Sequence, residues 1–261
     1  MGKPKTKLDW TNLRGLLNGA LGLLLSTSCA ACGDGIGTTV QASAAASRVC
    51  AGCWDSITLP RPPICPRCGA PFSSEFALTD SPGHVCGKCR DAPPAFASAR
   101  AAGLYEGALR EIIHAYKYDG VSGLSATLGK WMAGYFRDRF PDEVFDVITH
   151  VPTHPKRFRE RGFDQAWFLT RVLGRASGIP ARPNLLDRAK WDAPQFELTE
   201  VQRRENVHGA FIVRKPREAE GRRILLVDDI LTTGATAAAC AKVLKRAGSE
   251  SVHVYTLART A

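Results

Sequence analysis

Eight of the nine cysteines fall into four Cys-x2-Cys pairs: Cys29/Cys32, Cys50/Cys53, Cys65/Cys68 and Cys86/Cys89. Seventeen residues separate the first pair from the second, and seventeen separate the third from the fourth. This pattern constrains the fold more than any other feature. Two thiolates from one tight turn can reach the same tetrahedral ion, and a hairpin brings in a second turn. Glycine and small residues beside the cysteines ("CAACGDG", "CAGC", "CPRCGA", "CGKC") allow the turn geometry. A disulfide framework fits poorly, since neighbouring oxidised pairs would crowd, and a single redox-active pair would not recur four times. Two structural Zn2+ ions are therefore expected, held by Cys29, Cys32, Cys50, Cys53, Cys65, Cys68, Cys86 and Cys89. With four thiolates per ion no position is open for a catalytic water, so the role is architectural. Pairing within each repeat is favoured, and interleaved pairing stays open. His84, near Cys86, is an alternative ligand or a surface histidine.

The spacing lies in the window of zinc ribbons, twice in tandem. After Cys89, "RDAPPAFASA" supplies Pro/Ala punctuation, which places a domain boundary near residue 94. The chain then reads as an N-terminal helix and double zinc ribbon over 1–94 and a second domain over 95–261. Between the cysteine pairs of the first ribbon, "GTTVQASAAAS" reads as a loose hairpin or loop. Leu13, Leu16, Leu17, Leu21, Leu24 and Leu25 recur at helical spacing and predict an amphipathic helix packed on something. The same N-terminal stretch has the outline of a secretory or lipoprotein signal. However, Asn18, Gly19 and Gly22 break its apolar run, which is too short to span a bilayer. The expectation is a cytoplasmic protein with no membrane span, where thiolate pairs stay reduced.

Charge is unevenly spread. The chain carries a formal net +10, and residues 154–217 alone hold 14 Lys and Arg against 7 Asp and Glu. Such a segment is either a solvated face or a surface for a polyanion: phosphate, pyrophosphate or nucleic acid. Each four-thiolate zinc site carries about −2, so the ribbon region is not the basic surface.

From residue 96 onward strands and helices alternate. "FASARAAGLY", "VFDVITHVP", "AFIV", "RRILLVDD" and "SVHVYTLAR" read as strands. "EGALREIIHAYKY", "SGLSATLGKWMAGYFRDRF", "FDQAWFLTRVLGRAS" and "ATAAACAKVLKRAG" read as helices, the last ended by Gly248. This alternation predicts an α/β domain with a mostly parallel sheet flanked by helices, binding ligands outside the carboxyl ends of its strands.

One such end carries "ILLVDDILTTGAT", residues 224–236. A buried strand over 224–227 runs into Asp228 and Asp229, then into a Thr/Gly loop that opens a helix. A helix N-terminus offers unpaired N–H groups and the positive end of its dipole to an anion. Threonine hydroxyls add donors, and Gly234 permits close backbone approach. Carboxylates beside a phosphate cradle are poor phosphate ligands but good acceptors for sugar hydroxyls, so the pattern describes a site for a sugar 5′-phosphate. "SATLGKW" lacks the first glycine and the hydroxyl residue of a P-loop, and no G-x-G-x-x-G follows a strand. Cys240 reads as a buried core residue. His114, His150 and His154 approach the site or serve structure.

"ILLVDDILTTGAT" resembles the phosphoribosyl pyrophosphate (PRPP) motif of type I phosphoribosyltransferases. With "YKYDG", "VPTHPKRFRERGFDQA" and "DAPQFELTEVQRRENVHGAFIV" behind a double zinc ribbon, the arrangement resembles the ComF/ComFC family, associated with DNA uptake in natural transformation. The resemblance runs from about residue 20 to the end. It implies a type I phosphoribosyltransferase-like domain in which Asp228 and Asp229 hold the ribose hydroxyls and Thr232, Thr233, Gly234, Ala235 and Thr236 wrap the 5′-phosphate. It further implies that Lys117 sits in a pyrophosphate-binding loop, that Arg157 and Arg161 face pyrophosphate or another anion, and that Arg203 and Asn206 belong to a closing loop. Asp164 departs from the pattern, because the family usually has asparagine there.

The implied ligand is PRPP with Mg2+, which neutralises the leaving pyrophosphate. The implied activity is a glycosyltransferase reaction through an oxocarbenium-like transition state, governed by positioning and charge. No Ser–His–Asp or Cys–His motif competes with it. The other reading is a non-catalytic single-stranded DNA-binding protein of the uptake machinery, contacting DNA through 154–217 and other uptake proteins elsewhere. The aromatic residues suited to base stacking there are Phe158, Phe163, Trp167, Trp191 and Phe196.

Overall fold

The computed structural model describes residues 28–36, 48–72, 83–118, 124–188 and 210–261. The N-terminal leucine helix, the 37–47 loop, Asp119–Gly120, Trp191, Phe196, Arg203 and Asn206 lie outside the described residues.

Four parallel strands form the central sheet in the order β1-β6-β5-β2: β1 Ser98–Leu104, β2 Val147–His150, β5 Arg223–Leu231 and β6 Ser251–Arg259. β5 and β6 read as almost continuous apolar runs because both faces are covered. On one face, Leu225, Val227, Tyr255 and Leu257 pack with helices α3 (Gly107–Tyr118), α4 (Leu124–Arg139) and α6 (Gln165–Ser177). On the other, Ile224, Leu226, Val252 and Val254 pack with helix α8 (Ala235–Arg246) and with an antiparallel ribbon of β3 (Leu186–Arg188) and β4 (Phe211–Val213). Four short helices complete the described residues: α5 (Pro155–Arg161) and α7 (Pro216–Ala219) in the second part of the chain, and, near the cysteines, α1 (Ala51–Asp55) and α2 (Gly87–Asp91).

The predicted strands and helices after residue 96 are present, with shifted limits. β2 is shorter than "VFDVITHVP", and β5 extends beyond "RRILLVDD" to Leu231. After residue 96 three elements were not anticipated: α5, β3 and α7. α5 carried a readable signal, Pro155 at its first position before "KRFRER". β3 is three residues long and gains its meaning from pairing with β4, which local pattern does not encode.

The cysteine-rich segment seals the exposed edge of β1. Ala99 donates its N–H to the Arg67 carbonyl and Leu104 donates to the Thr58 carbonyl. The Arg100 side chain donates to the Pro66 carbonyl at 2.9 Å, and the Arg259 guanidinium donates to the Cys68 carbonyl. Gly69 has φ +71, and a Cβ there would stand 2.5 Å from the Ala99 carbonyl oxygen, so any side chain would force ribbon and sheet apart. Cys29, Val49 and Ile57 join the same buried cluster as α3, α4 and α6, and Trp54 lies 6.0 Å from Trp131 of α4. An open strand edge is an aggregation hazard, and here it is paired and covered. Among the described residues no helix is long and apolar enough to cross a membrane.

Candidate functional site

The cysteines form two groups, Cys29/Cys32/Cys50/Cys53 and Cys65/Cys68/Cys86/Cys89, whose sulfurs all lie within 4.8 Å of one another in each group. Ligand pairing is therefore within each repeat, and exposed His84 rests on Phe72 rather than joining the second group. Across the turns, the Cys32 and Cys50 sulfurs lie 3.9 Å apart and those of Cys68 and Cys86 3.7 Å apart. Tetrahedral zinc with bonds of about 2.3 Å requires sulfur separations of about 3.8 Å. Backbone N–H groups of Ala31 and Cys50 donate to Cys29 Sγ, and that of Cys86 donates to Cys65 Sγ, which favours thiolate. These donors fit structural zinc.

The second site lies at the carboxyl ends of β5 and β2, in a cavity of about 280 Å³. β2 stops pairing at His150↔Val227 and turns away at Pro152, while β6 accompanies β5 to Leu231. Asp228 and Asp229 are thus still in β5, not beyond its end as the sequence implied. They face the space that β2 vacates. Being in a strand also explains how adjacent carboxylates coexist. Ile224 and Leu226 belong to the α8 face, Leu225 and Val227 to the α3 face. Strict alternation lapses just beyond, where Ile230 joins the α3 cluster and Leu231 the α8 cluster, but the charge of Asp228 is felt at Cys240 of α8 and Asp229 lies toward α3. There Lys117 Nζ meets the Asp229 carboxylate at 2.7 Å, both side chains being 16% exposed. Burial, then the charge of Asp229, pushes the Asp228 carboxyl well above the usual carboxylate range.

Thr232 and Thr233 are exposed, and Gly234 caps α8 with φ +78. Space around Gly234 is adequate, with Phe96 3.7 Å from a hypothetical Cβ, so the left-handed backbone is the reason for glycine. Ala235 and Thr236 form the first helical turn rather than the loop proper.

Lys117, Arg157, Arg161, Asp228, Asp229 and Thr232 through Thr236 all line this one cavity, although they come from four separate elements and a loop. Lys117 stands on the last turn of α3, not in a loop following it. Arg157 and Arg161 are one turn apart on α5, where Arg161 donates to Gln165 Oε1 at 3.2 Å. His154 joins the lining, His150 is buried beneath it, and His114 is exposed. Cys240 is buried, as expected. Arg203 and Asn206 lie outside the described residues.

Asp164 does not itself line the cavity, although its charge is felt at Asp228. Its carboxylate caps α6 by accepting from Trp167 N–H at 2.9 Å, accepts from Thr153 N–H at 3.1 Å, and lies 3.5 Å from His150 Nε2. Burial raises its pKa, but the His150 hydrogen bond and charge and the two backbone donors outweigh that and hold it below the usual value. Sequence reasoning missed Arg188, Gln165 and Tyr105 in the lining. Gln165 was readable as the residue beginning a helix after "RGFD". Arg188 had no local signal.

A family model described as "Double zinc ribbon domain" matches residues 20–90, and one described as "Phosphoribosyl transferase domain" matches residues 177–261. The chain is 30% identical over 215 residues to the Haemophilus influenzae "Competence protein F", covering 81% of this chain and 90% of that protein. The chain belongs to the ComF/ComFC family. A "DNA utilization protein YhgH" of Escherichia coli O157:H7 is 30% identical over 201 residues, with 76% and 84% covered. The Bacillus subtilis "Competence protein ComFC" is 29% identical over 217 residues, with 82% and 85% covered. In this chain a phosphoribosyltransferase-type parallel sheet stands behind a double zinc ribbon.

Proposed function

We propose that this ComF-family chain binds PRPP with Mg2+ in the β5–α8 cavity and is a phosphoribosyltransferase-like protein linked to DNA uptake. One observation carries the reading. A diol-accepting carboxylate pair, a threonine loop at a helix N-terminus and several cationic side chains share one cavity. On this reading Asp228 and Asp229 take the ribose hydroxyls, Thr232–Thr236 take the 5′-phosphate, and Lys117, Arg157 and Arg161 face pyrophosphate. Arg203 and Asn206 would close over it. The names of the relatives support the link to uptake.

The chemistry falls to positioning. Carboxylates fix the sugar, N–H and hydroxyl donors hold the phosphate, and cations stabilise charge on the departing pyrophosphate. Mg2+ when bound would share that neutralisation. Residues 1–94 act as zinc-bearing scaffold and 95–261 as the ligand-binding domain, in a reducing cytoplasm that keeps the thiolates intact.

Differential scanning fluorimetry tests the ligand. PRPP at 1 mM with Mg2+ should raise Tm by several degrees, through mass action on the folded state. Asp228→Asn with Asp229→Asn should remove that shift, and an unchanged wild-type Tm would sink the assignment. Pyrophosphate release across candidate bases and amines then separates an enzyme from a binding protein.

A second reading, single-stranded DNA on the 154–217 face, gains from α5, where Phe158 is 47% exposed between Arg157 and Arg159. Phe163 and Trp167 do not add to a stacking platform, since they pack against Tyr116 and His150 respectively. Binding of an oligonucleotide that weakens steeply with salt would support this face, and no binding at low salt would remove it.

A further inference from the structure

We propose that Arg188 is a phosphate-binding residue of the cavity, reaching the ligand from the face of the sheet opposite Lys117; this rests on the PRPP reading above. The cavity's cations arrive from two sides. Lys117 belongs to α3, and Arg161 is bonded to Gln165 at the start of α6, so both stand on the α3 and α6 face. Arg188 ends β3, which pairs with β4 on the α8 face. It lines the same cavity as the carboxylate pair and the threonine loop.

Its position is built. The guanidinium carbon lies 5.1 Å from the centre of the Phe211 ring, and Phe211 is itself buried. A guanidinium seated over a buried ring is held in place by the cation–π attraction and is partly stripped of water. Arg188 is in register with Phe211 across the β3–β4 ladder, and neighbouring Asp187 is bound by Arg214 at 2.9 Å. The charges of Arg188 and Asp228 are both felt at Cys240, in the buried face of α8. That brings the guanidinium to the side of the cavity where α8 and its threonine loop stand. Arginine is permanently charged and presents its donors as a planar fork that matches two phosphate oxygens. The phosphate so bound is either the 5′-phosphate on the loop or the pyrophosphate group. The two have the same chemistry and different tests.

Isothermal titration of the zinc-loaded full chain with ribose 5-phosphate, and separately with magnesium pyrophosphate, reads both. Arg188→Gln should weaken at least one of them tenfold or more. Loss confined to ribose 5-phosphate assigns the 5′-phosphate, and loss confined to pyrophosphate assigns the leaving group. Arg188→Lys keeps the charge but not the fork, and should recover only part of the affinity. Wild-type affinity for both ligands in a folded Arg188→Gln variant overturns the proposal. Should that variant fail to fold, Arg188→Lys is read alone, and unchanged affinity for both ligands overturns it equally. If the wild-type protein binds neither ligand, the PRPP reading falls and takes this proposal with it. Binding by wild type with no effect of Arg188 confines the failure to Arg188.

Discussion

The cysteine tetrads and the carboxylate pair pose the same electrostatic problem and solve it differently. Each gathers like-charged groups within a few ångströms. In the tetrads, sulfurs within 4.8 Å of one another converge on one point, where a single divalent ion answers the repulsion. The carboxylates diverge, one to each face of β5, and Lys117 answers one of them directly. Convergent groups make a closed structural centre. Divergent groups leave an open edge, and a ligand can use it.

Breaking the tetrads should have the largest effect. Structural zinc contributes on the order of 10 kcal/mol to small zinc modules. Because Cys29, Val49 and Ile57 share the core cluster with α3 and α4, zinc loss should not stay local. Cys65→Ser, or treatment with a strong chelator, is expected to lower Tm by roughly 10 °C or more by calorimetry. A zinc content near two per chain should fall to about one in Cys65→Ser. A Tm that survives full chelation would show that the tetrads do not hold this structure.

Lys117→Met sharpens the other side of the comparison. It leaves Asp229 without its cation in a mostly buried setting, at an expected cost of roughly 2 kcal/mol. Adding Asp229→Asn should recover much of that loss, and denaturant titration of the four-member cycle measures the coupling. Purely additive changes would mean that the pair contributes nothing.

Asp164 predicts a smaller effect and separates capping from charge. Asparagine caps a helix about as well as aspartate, so Asp164→Asn should cost under about 1 kcal/mol, while Asp164→Ala should cost about 1–2 kcal/mol. Urea denaturation of both variants reads the difference, and equal losses would place the role in the His150 contact instead.

The smallest effect is read in its pH dependence. Arg223 hydrogen-bonds Asp146 from its side chain and its backbone N–H and lowers the carboxyl pKa to about 2. A depressed carboxyl contributes stability that is present above its unfolded value near 4 and is lost as pH falls toward about 2. Asp146→Asn should lower stability modestly at neutral pH and flatten the acid side of the profile in that window, so that variant and wild type converge as pH falls toward about 2. A wild-type acid slope in the variant would assign that slope to other carboxylates.

Much of the molecule was legible because its signals are local. Cys-x2-Cys turns at a repeated spacing specify their own geometry, and the Thr/Gly loop announces a helix start within five residues. Long strands and helices such as β6 and α6 declare their period. Short elements did not: β3 exists because β4 pairs with it, and three residues carry no period to read.

The sequence by itself determined the metal-binding pattern, the α/β alternation and the chemical kind of the 224–236 motif, because each depends on neighbours a few residues apart. Tertiary structure decided what those parts face. It placed Asp228 and Asp229 inside a strand whose partner ends early, so that they split between two faces instead of crowding at a tip. It turned Asp164 inward as a helix cap and carried Arg188 to the cavity from the far side of the sheet. Those outcomes depend on which chain segments stop, cross or pair at one end of a sheet. That is a matter of long-range packing, which no short stretch of sequence contains.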